Sequence, residues 1–107
     1  MTAHDKNFYI EAILDHIAAI ESYIPSSKDE YLQDEKTYDA ILMRLITIGE
    51  ELSNVREKLD QDPRHEWHKI IGLRNRIAHA YWEIDKDIIW ELLTDGSLKN
   101  LKDTLTK

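Results

Sequence analysis

Apolar residues recur at helical spacing along almost the whole chain. Tyr9, Ile13, Ile17, Ile20 and Ile24 stand three or four apart, which on a helix draws a single stripe. Pro25 disfavours helical geometry in the residue before it, so the first helix ends there. In "SSKDE", Ser27 and Glu30 are spaced as a capping box for a short helical turn. The longest helix is expected from about Glu35 to Lys58, where Ile41, Leu45, Ile48, Leu52, Val55 and Leu59 repeat with the helical period. Leu42, Ile46 and Gly49 widen that stripe. A face so broad must touch more than one neighbour, and Gly49 lets another helix approach closely. "DQDP" then breaks the chain at Pro63.

A third helix is expected from about His65 to Ala80. Its less polar side carries Trp67, Ile70, Ile71, either Leu73 or Arg74, then Ile77, Ala78 and Tyr81. Asp85 is placed to cap a fourth helix that buries Ile88, Ile89, Leu92 and Leu93. "TDGS" kinks or breaks that helix at Gly96, and Leu98, Leu101 and Leu105 continue the packing. Trp67 and Trp90 read as core or interface residues, and Trp82 as packing at the bundle end. No repeat, low-complexity tract or linker interrupts the pattern. The expected architecture is an all-α antiparallel bundle of four to five helices, forming one domain over residues 1–107.

Composition narrows this picture. Apolar residues make up 42% of the chain and charged residues 33%, a foldable balance, and three Gly and two Pro give little punctuation for many short strands. The absence of cysteine excludes disulfides and thiolate metal sites. The opening "MTAHDKNFYI" carries Asp5 and lacks the long apolar run of a secretory leader. The most apolar stretch, "AILMRLITIG", contains Arg44 and is too short to span a bilayer. A cytoplasmic protein with no membrane partner is the expectation.

The net charge of -7 argues against a general nucleic-acid binder. The charge is uneven, however. Between residues 64 and 82, Arg64, Lys69, Arg74 and Arg76 face Glu66 alone, and three of the five histidines lie in the same window. An acidic body with one basic island suits a confined anionic substrate better than a long electrostatic footprint.

Within that island, "RNRIAHAY" (residues 74–81) holds two arginines, an asparagine, a histidine and a tyrosine. On a helix, Asn75 and His79 share a face, and Arg76 and His79 are neighbours. Arg74 and Tyr81 align within about 20° if the helix lasts that long, whereas Arg74 and His79 lie roughly 140° apart. One copy of the helix therefore makes a loose site, which a second copy in a dimer could close. These residue types suit RNA cleavage without a metal. Histidine can take a proton from a 2'-hydroxyl or give one to the leaving 5'-oxygen. An arginine fork matches the charge gathered on the nonbridging oxygens. Tyr81 could position the phosphate or stack on a base. Spacing alone also admits blander readings. The same groups could bind a nucleotide or a protein partner without cutting anything, or could be the polar side of a bundle that only dimerises.

Other constellations are weaker. His65 and His68 stand three apart but lack a third metal ligand at fixed spacing, so both read as surface residues. Glu50 and Glu51 diverge by about 100° on a helix, although Glu50 could salt-bridge an arginine of the cluster. The acidic run "DEYLQDEK" reads as a solvated face. There is no Gly-rich phosphate loop and no nucleophile elbow.

Arg74, four residues, His79, one residue and Tyr81 together resemble the R-x4-H-x-Y signature of HepT-like (DUF86) toxins of the HEPN superfamily. "IGEEL", "W-x2-IIGLRNRIAHAYWEID" and "IIW" follow the family's order, so the resemblance spans nearly the whole chain. It implies an all-α homodimer with the signature helices facing each other, acting as a metal-independent endoribonuclease toxin that needs no cofactor. It makes Arg74 and His79 the catalytic pair, with Asn75 supporting them and Tyr81 completing the site. Arg76 falls within the variable four residues, and its supporting role is inferred from charge and position. The resemblance also implies a minimal nucleotidyltransferase antitoxin that transfers AMP to Tyr81, placing bulk and negative charge where RNA phosphate should sit. Family members often have a small residue after the Gly-Glu pair, where this chain has Glu51.

Overall fold

The computed structural model describes residues 5–61 and 67–107, and every regular element among them is helical. α1 spans Lys6–Tyr23, α2 Lys28–Gln33, α3 Glu35–Glu51, α4 Arg56–Leu59, α5 Trp67–Ala80, α6 Lys86–Thr94 and α7 Ser97–Thr106. Tight 3-10 turns cover Leu52–Val55 and Tyr81–Glu83. The number of helices exceeds the expected four to five for local reasons. The long second helix is divided by the turn at residues 52–55, and Gly96, at φ +89°, separates α6 from α7. Only glycine adopts that left-handed backbone without cost.

Side-chain caps set most helix starts. Asp5 accepts from the Phe8 amide (3.0 Å), Asp34 from Thr37 (3.1 Å) and Asp85 from Asp87 (2.8 Å). Ser27 accepts from the Glu30 amide at 3.2 Å, while the Glu30 carboxylate receives the Ser26 hydroxyl at 3.0 Å. Each such cap is worth about 1 kcal/mol.

α3 is the central strut, and contacts along it and along α4, which follows it, fix the directions of its neighbours. Against α1, Lys6 pairs with Glu57 and His16 meets Arg44, so residue numbers run oppositely. Against α5, Arg56 lies over the Trp67 ring, Glu50 pairs with Arg74, and Met43 and Asp39 line one groove with Ala78 and Tyr81. Both packings are antiparallel, as the sequence implies. The expected stripes form the core. Ile13, Ile17 and Ile20 of α1, Ile41 and Ile48 of α3 and Leu59 of α4 are wholly buried, as is Ile89 of α6. Tyr31 locks α2 onto α6, because its ring meets Trp90 at 4.9 Å and its hydroxyl donates to the Lys86 carbonyl at 2.8 Å. Among the described residues, no helix is long and apolar enough to cross a membrane.

Candidate functional site

α5 earns its place in the bundle with a buried stripe of Trp67, Ile70, Leu73, Ile77 and Ala80. Leu73, rather than Arg74, completes the apolar side. That choice turns Arg74 toward the seam with α3, where the side chain lies half-buried. Gly49 makes room for it. A Cβ at residue 49 would fall 2.4 Å from the Arg74 Cβ and 2.6 Å from its Cγ, closer than any real contact. The glycine expected to admit a neighbouring helix thus admits the stem of one particular arginine.

The guanidinium is held from two sides. Nη1 donates to the Asn75 side-chain oxygen at 2.7 Å, and Nη2 lies 3.5 Å from a Glu50 carboxylate oxygen. Nε is buried and has no hydrogen-bond partner among the described residues. Packing of the stem, the Asn75 contact and the Glu50 charge together restrict an otherwise flexible side chain. Glu50 does pair with an arginine of the cluster, while Glu51 points elsewhere on the helix.

His79 presents the opposite situation. It is exposed, one turn of helix from Asn75 and Arg76, and makes no hydrogen bond among the described residues. Five residues separate it from Arg74, which places the two side chains roughly 140° apart around the α5 axis and about 7.5 Å apart along it. Arg76 is also exposed and lines a groove of about 390 Å³ between α5 and α6, together with Lys69, Gly72 and Leu73. Lys69 is engaged there by Asp95 at 3.2 Å.

Two expectations change at the end of α5. The helix stops at Ala80, whose backbone (φ -157°, ψ 70°) has left the helical region, so Tyr81 starts a 3-10 turn. The heptad alignment of Arg74 with Tyr81 therefore fails. Tyr81 is 58% exposed and lines a separate groove of about 420 Å³ between α3 and α5, floored by Leu42, Ile46 and Ile77. Trp82 does not pack the bundle end. It is 71% exposed and meets Tyr81 edge to face at 5.7 Å. Nothing in the periodicity signals either feature, because no Gly or Pro marks the break. Trp67 is buried and Trp90 partly so, as expected.

The remaining candidates carry little. Arg64 and His65 lie outside the described residues, and His68 stacks on the Trp67 ring at 3.7 Å. Among the described residues, no three His, Asp or Glu side chains gather in a way that could hold a metal ion.

With this geometry in place, comparison with known proteins adds a lineage. A protein of Methanocaldococcus jannaschii named "Putative RNase" is 28% identical over 96% of this chain and 87% of its own length. The "Probable ribonuclease HepT" of Thermococcus cleftensis is 28% identical over 92% of this chain and 94% of its own. A "Putative RNase" of Caldanaerobacter subterraneus is 29% identical over 79% of this chain and 78% of its own. No solved structure matches. The model of the family described as "Ribonuclease HepT-like" matches residues 13–107, a span that holds Gly49, Glu50 and the whole of α5 with Tyr81, and the chain belongs to that family.

Proposed function

We propose that the protein is a metal-independent endoribonuclease toxin, active as a homodimer in which the α5 helices of two copies face each other. The observation that carries this reading is the contrast between Arg74 and His79. The arginine is anchored by Gly49, Glu50 and Asn75, while the imidazole stands free in solvent on another side of the same helix. A fixed cation and an uncommitted acid-base group are what phosphodiester cleavage requires. A second copy brings its own α5 alongside, so that Arg74 of one chain and His79 of the other bracket one phosphate. Exposed Met43 and Ala78, beside the groove floored by Leu42, Ile46 and Ile77, supply apolar surface for that contact.

In the proposed reaction the 2'-oxygen attacks phosphorus as its proton is removed, and the bond to the 5'-oxygen breaks as that oxygen gains a proton. The products are a cyclic 2',3'-phosphate and a 5'-hydroxyl. His79 performs one of these proton transfers. Arg74 meets the charge on the nonbridging oxygens, Asn75 keeps the guanidinium oriented, and Arg76 adds positive potential nearby. Incubation of the purified protein with cellular RNA in excess chelator should yield cyclic-phosphate ends. A protein that forms tight complexes but leaves RNA intact, with the mass of the chain unmodified, would instead be a binding module.

The control proposed for this activity is a minimal nucleotidyltransferase antitoxin acting on Tyr81. The support is accessibility: the phenol is mostly exposed on a 3-10 turn just past the helix that carries the proposed catalytic pair. Its oxygen would attack the α-phosphorus of ATP and release pyrophosphate, leaving an adenylyl group whose negative charge competes with RNA for the arginine. Mass spectrometry of the chain expressed with and without such a partner, and with Tyr81→Phe, tests this directly.

A further inference from the structure

A notch of about 290 Å³ lies between the start of α3, the Tyr81–Glu83 turn and the start of α6. Its walls are Tyr38, Tyr81 and Trp82, with Glu35, Asp39 and Lys86 at the polar edge. The volume falls just below the range of about 300–1,000 Å³ typical of small-ligand sites, which suits a fragment the size of one base. We infer that this notch binds a single unpaired nucleobase of the RNA strand, one carrying an exocyclic amino group, beside the phosphate handled by Arg74 and His79. The inference rests on the ribonuclease reading and adds a base preference to it.

Four observations converge on that ligand. First, Tyr81 and Trp82 are large aromatic groups left mostly in solvent, set edge to face at 80°. Such a pair offers an open ring surface on which a base can stack, as proteins that hold single strands commonly do. Second, Glu35 and Asp39 stand one helical turn apart on α3, both exposed, and neither has an ion-pair partner among the described residues. Two free carboxylates repel phosphate, so the strand must enter by a base. They accept hydrogen bonds, so they favour the amino group of cytosine or adenine over the carbonyl that uracil presents at the same position. Third, the Tyr38 hydroxyl, closed off from solvent, has no hydrogen-bond partner among the described residues. A small opening of the notch wall would let a bound base or its solvent satisfy that group. Fourth, the Lys86 ammonium lies 5.0 Å from the centre of the Tyr38 ring, a cation at the rim for the strand's backbone.

A second protein copy fits the notch poorly. The adjoining groove, floored by Leu42, Ile46 and Ile77, is apolar and suits an interface. The notch would instead bury two unpaired carboxylates, which costs more than the contact returns.

The test uses the full-length His79→Ala protein, which holds RNA without cutting it, and calorimetric titration with the ribodinucleotides ApA, CpC and UpU and with AMP. ApA and CpC should bind about tenfold more tightly than UpU, and AMP should bind more weakly than ApA. Adding Glu35→Gln and Asp39→Asn should abolish the preference, and adding Trp82→Ala should weaken all three dinucleotides by about tenfold, the scale of one base–aromatic stack. Equal binding of ApA, CpC and UpU, or a preference that survives loss of both carboxylates, overturns the inference. AMP binding as tight as ApA overturns the assignment to a strand. A rise in monomer fraction for Trp82→Ala with unchanged dinucleotide affinity would assign the notch to the dimer contact instead. Because binding is read without cleavage, the two readings fail separately. A wild-type protein that cuts RNA with no base preference defeats only the notch. A protein that never cuts yet keeps the dinucleotide order defeats only the nuclease.

Discussion

Two arginine–histidine pairs among the described residues are built in opposite ways. Arg44 and His16 join α3 to α1. The Arg44 guanidinium lies 2.9 Å from His16 Nδ1 and 3.3 Å from the Tyr23 hydroxyl, and its centre stands 5.9 Å from the Tyr23 ring. The two residues touch each other and are half-buried, and each is tied to a partner inside the fold. Arg74 and His79 share one helix and do not meet. The arginine is braced by neighbours, and the imidazole is left open. An arginine near a histidine is therefore not in itself a sign of chemistry. The distinguishing feature is which groups remain uncommitted once folding has taken its share.

The largest expected contrast is catalytic. His79→Ala should reduce RNA cleavage by about 10²–10⁴-fold, the usual value of a positioned proton transfer, with little change in melting temperature. His16→Ala should do the reverse, sparing cleavage and lowering stability by about 1–2 kcal/mol through the lost contact with a charged group. Cleavage rates and thermal melts on the two variants check both arms, and equal loss of cleavage in both would erase the distinction.

Next in size is Gly49→Ala. The added methyl overlaps the Arg74 stem, so the variant should lose about 1–3 kcal/mol by overpacking and displace the guanidinium at the same time. Gly72→Ala on the same bundle is the control. A Cβ there meets nothing within 4 Å, so stability should rise by up to about 1 kcal/mol from helix propensity alone. Denaturant melts of the pair should move in opposite directions.

A smaller effect separates the histidines by pH. Burial, and secondarily the Arg44 charge, hold His16 below the ordinary imidazole value, against the weaker opposite pull of Asp15 and Glu51. The folded chain then binds fewer protons than the unfolded chain. Stability is full above about pH 6.5, where both states are neutral at this site, and falls on acidification below it as the unfolded state alone takes up a proton. Melts between pH 7.5 and 5 should show this slope in the wild type, flattened in His16→Ala.

The smallest effect belongs to Glu50→Gln. The pair with Arg74 is partly exposed and long at 3.5 Å, so stability should change by less than about 1 kcal/mol. RNA binding should tighten modestly, because an anion beside the proposed phosphate site is removed. Unchanged or weaker RNA affinity would mean that Glu50 only orients the arginine.

Most of the fold is legible in the chain because burial enforces period. Ile13, Ile17 and Ile20, or Ile41, Leu45 and Ile48, can all be buried together only on a helix face. The same signal hides the turn at residues 52–55. Leu52, Val55 and Leu59 stay buried through it, since a spacing of three serves an α-helix and a 3-10 turn alike. The end of α5 is equally silent, as Ala80 leaves the helical region without a glycine or proline to announce it. For the site, sequence spacing isolates α5 and its residues, and the family signature adds their roles. It does not reveal that Gly49 serves the Arg74 stem, nor that Glu35 and Asp39 border the turn bearing Tyr81 and Trp82. Both depend on how α3 and the residues after α5 meet in space, and the acidic stretch holding Glu35 looks like any solvated face.

The central claim is that a working site needs two copies of α5. It is tested most directly by following RNA cleavage per chain across a dilution series, with molecular mass measured at each concentration. The composite site predicts that specific activity falls in step with the dimer fraction. Undiminished cleavage per chain at concentrations where the protein is monomeric would contradict it.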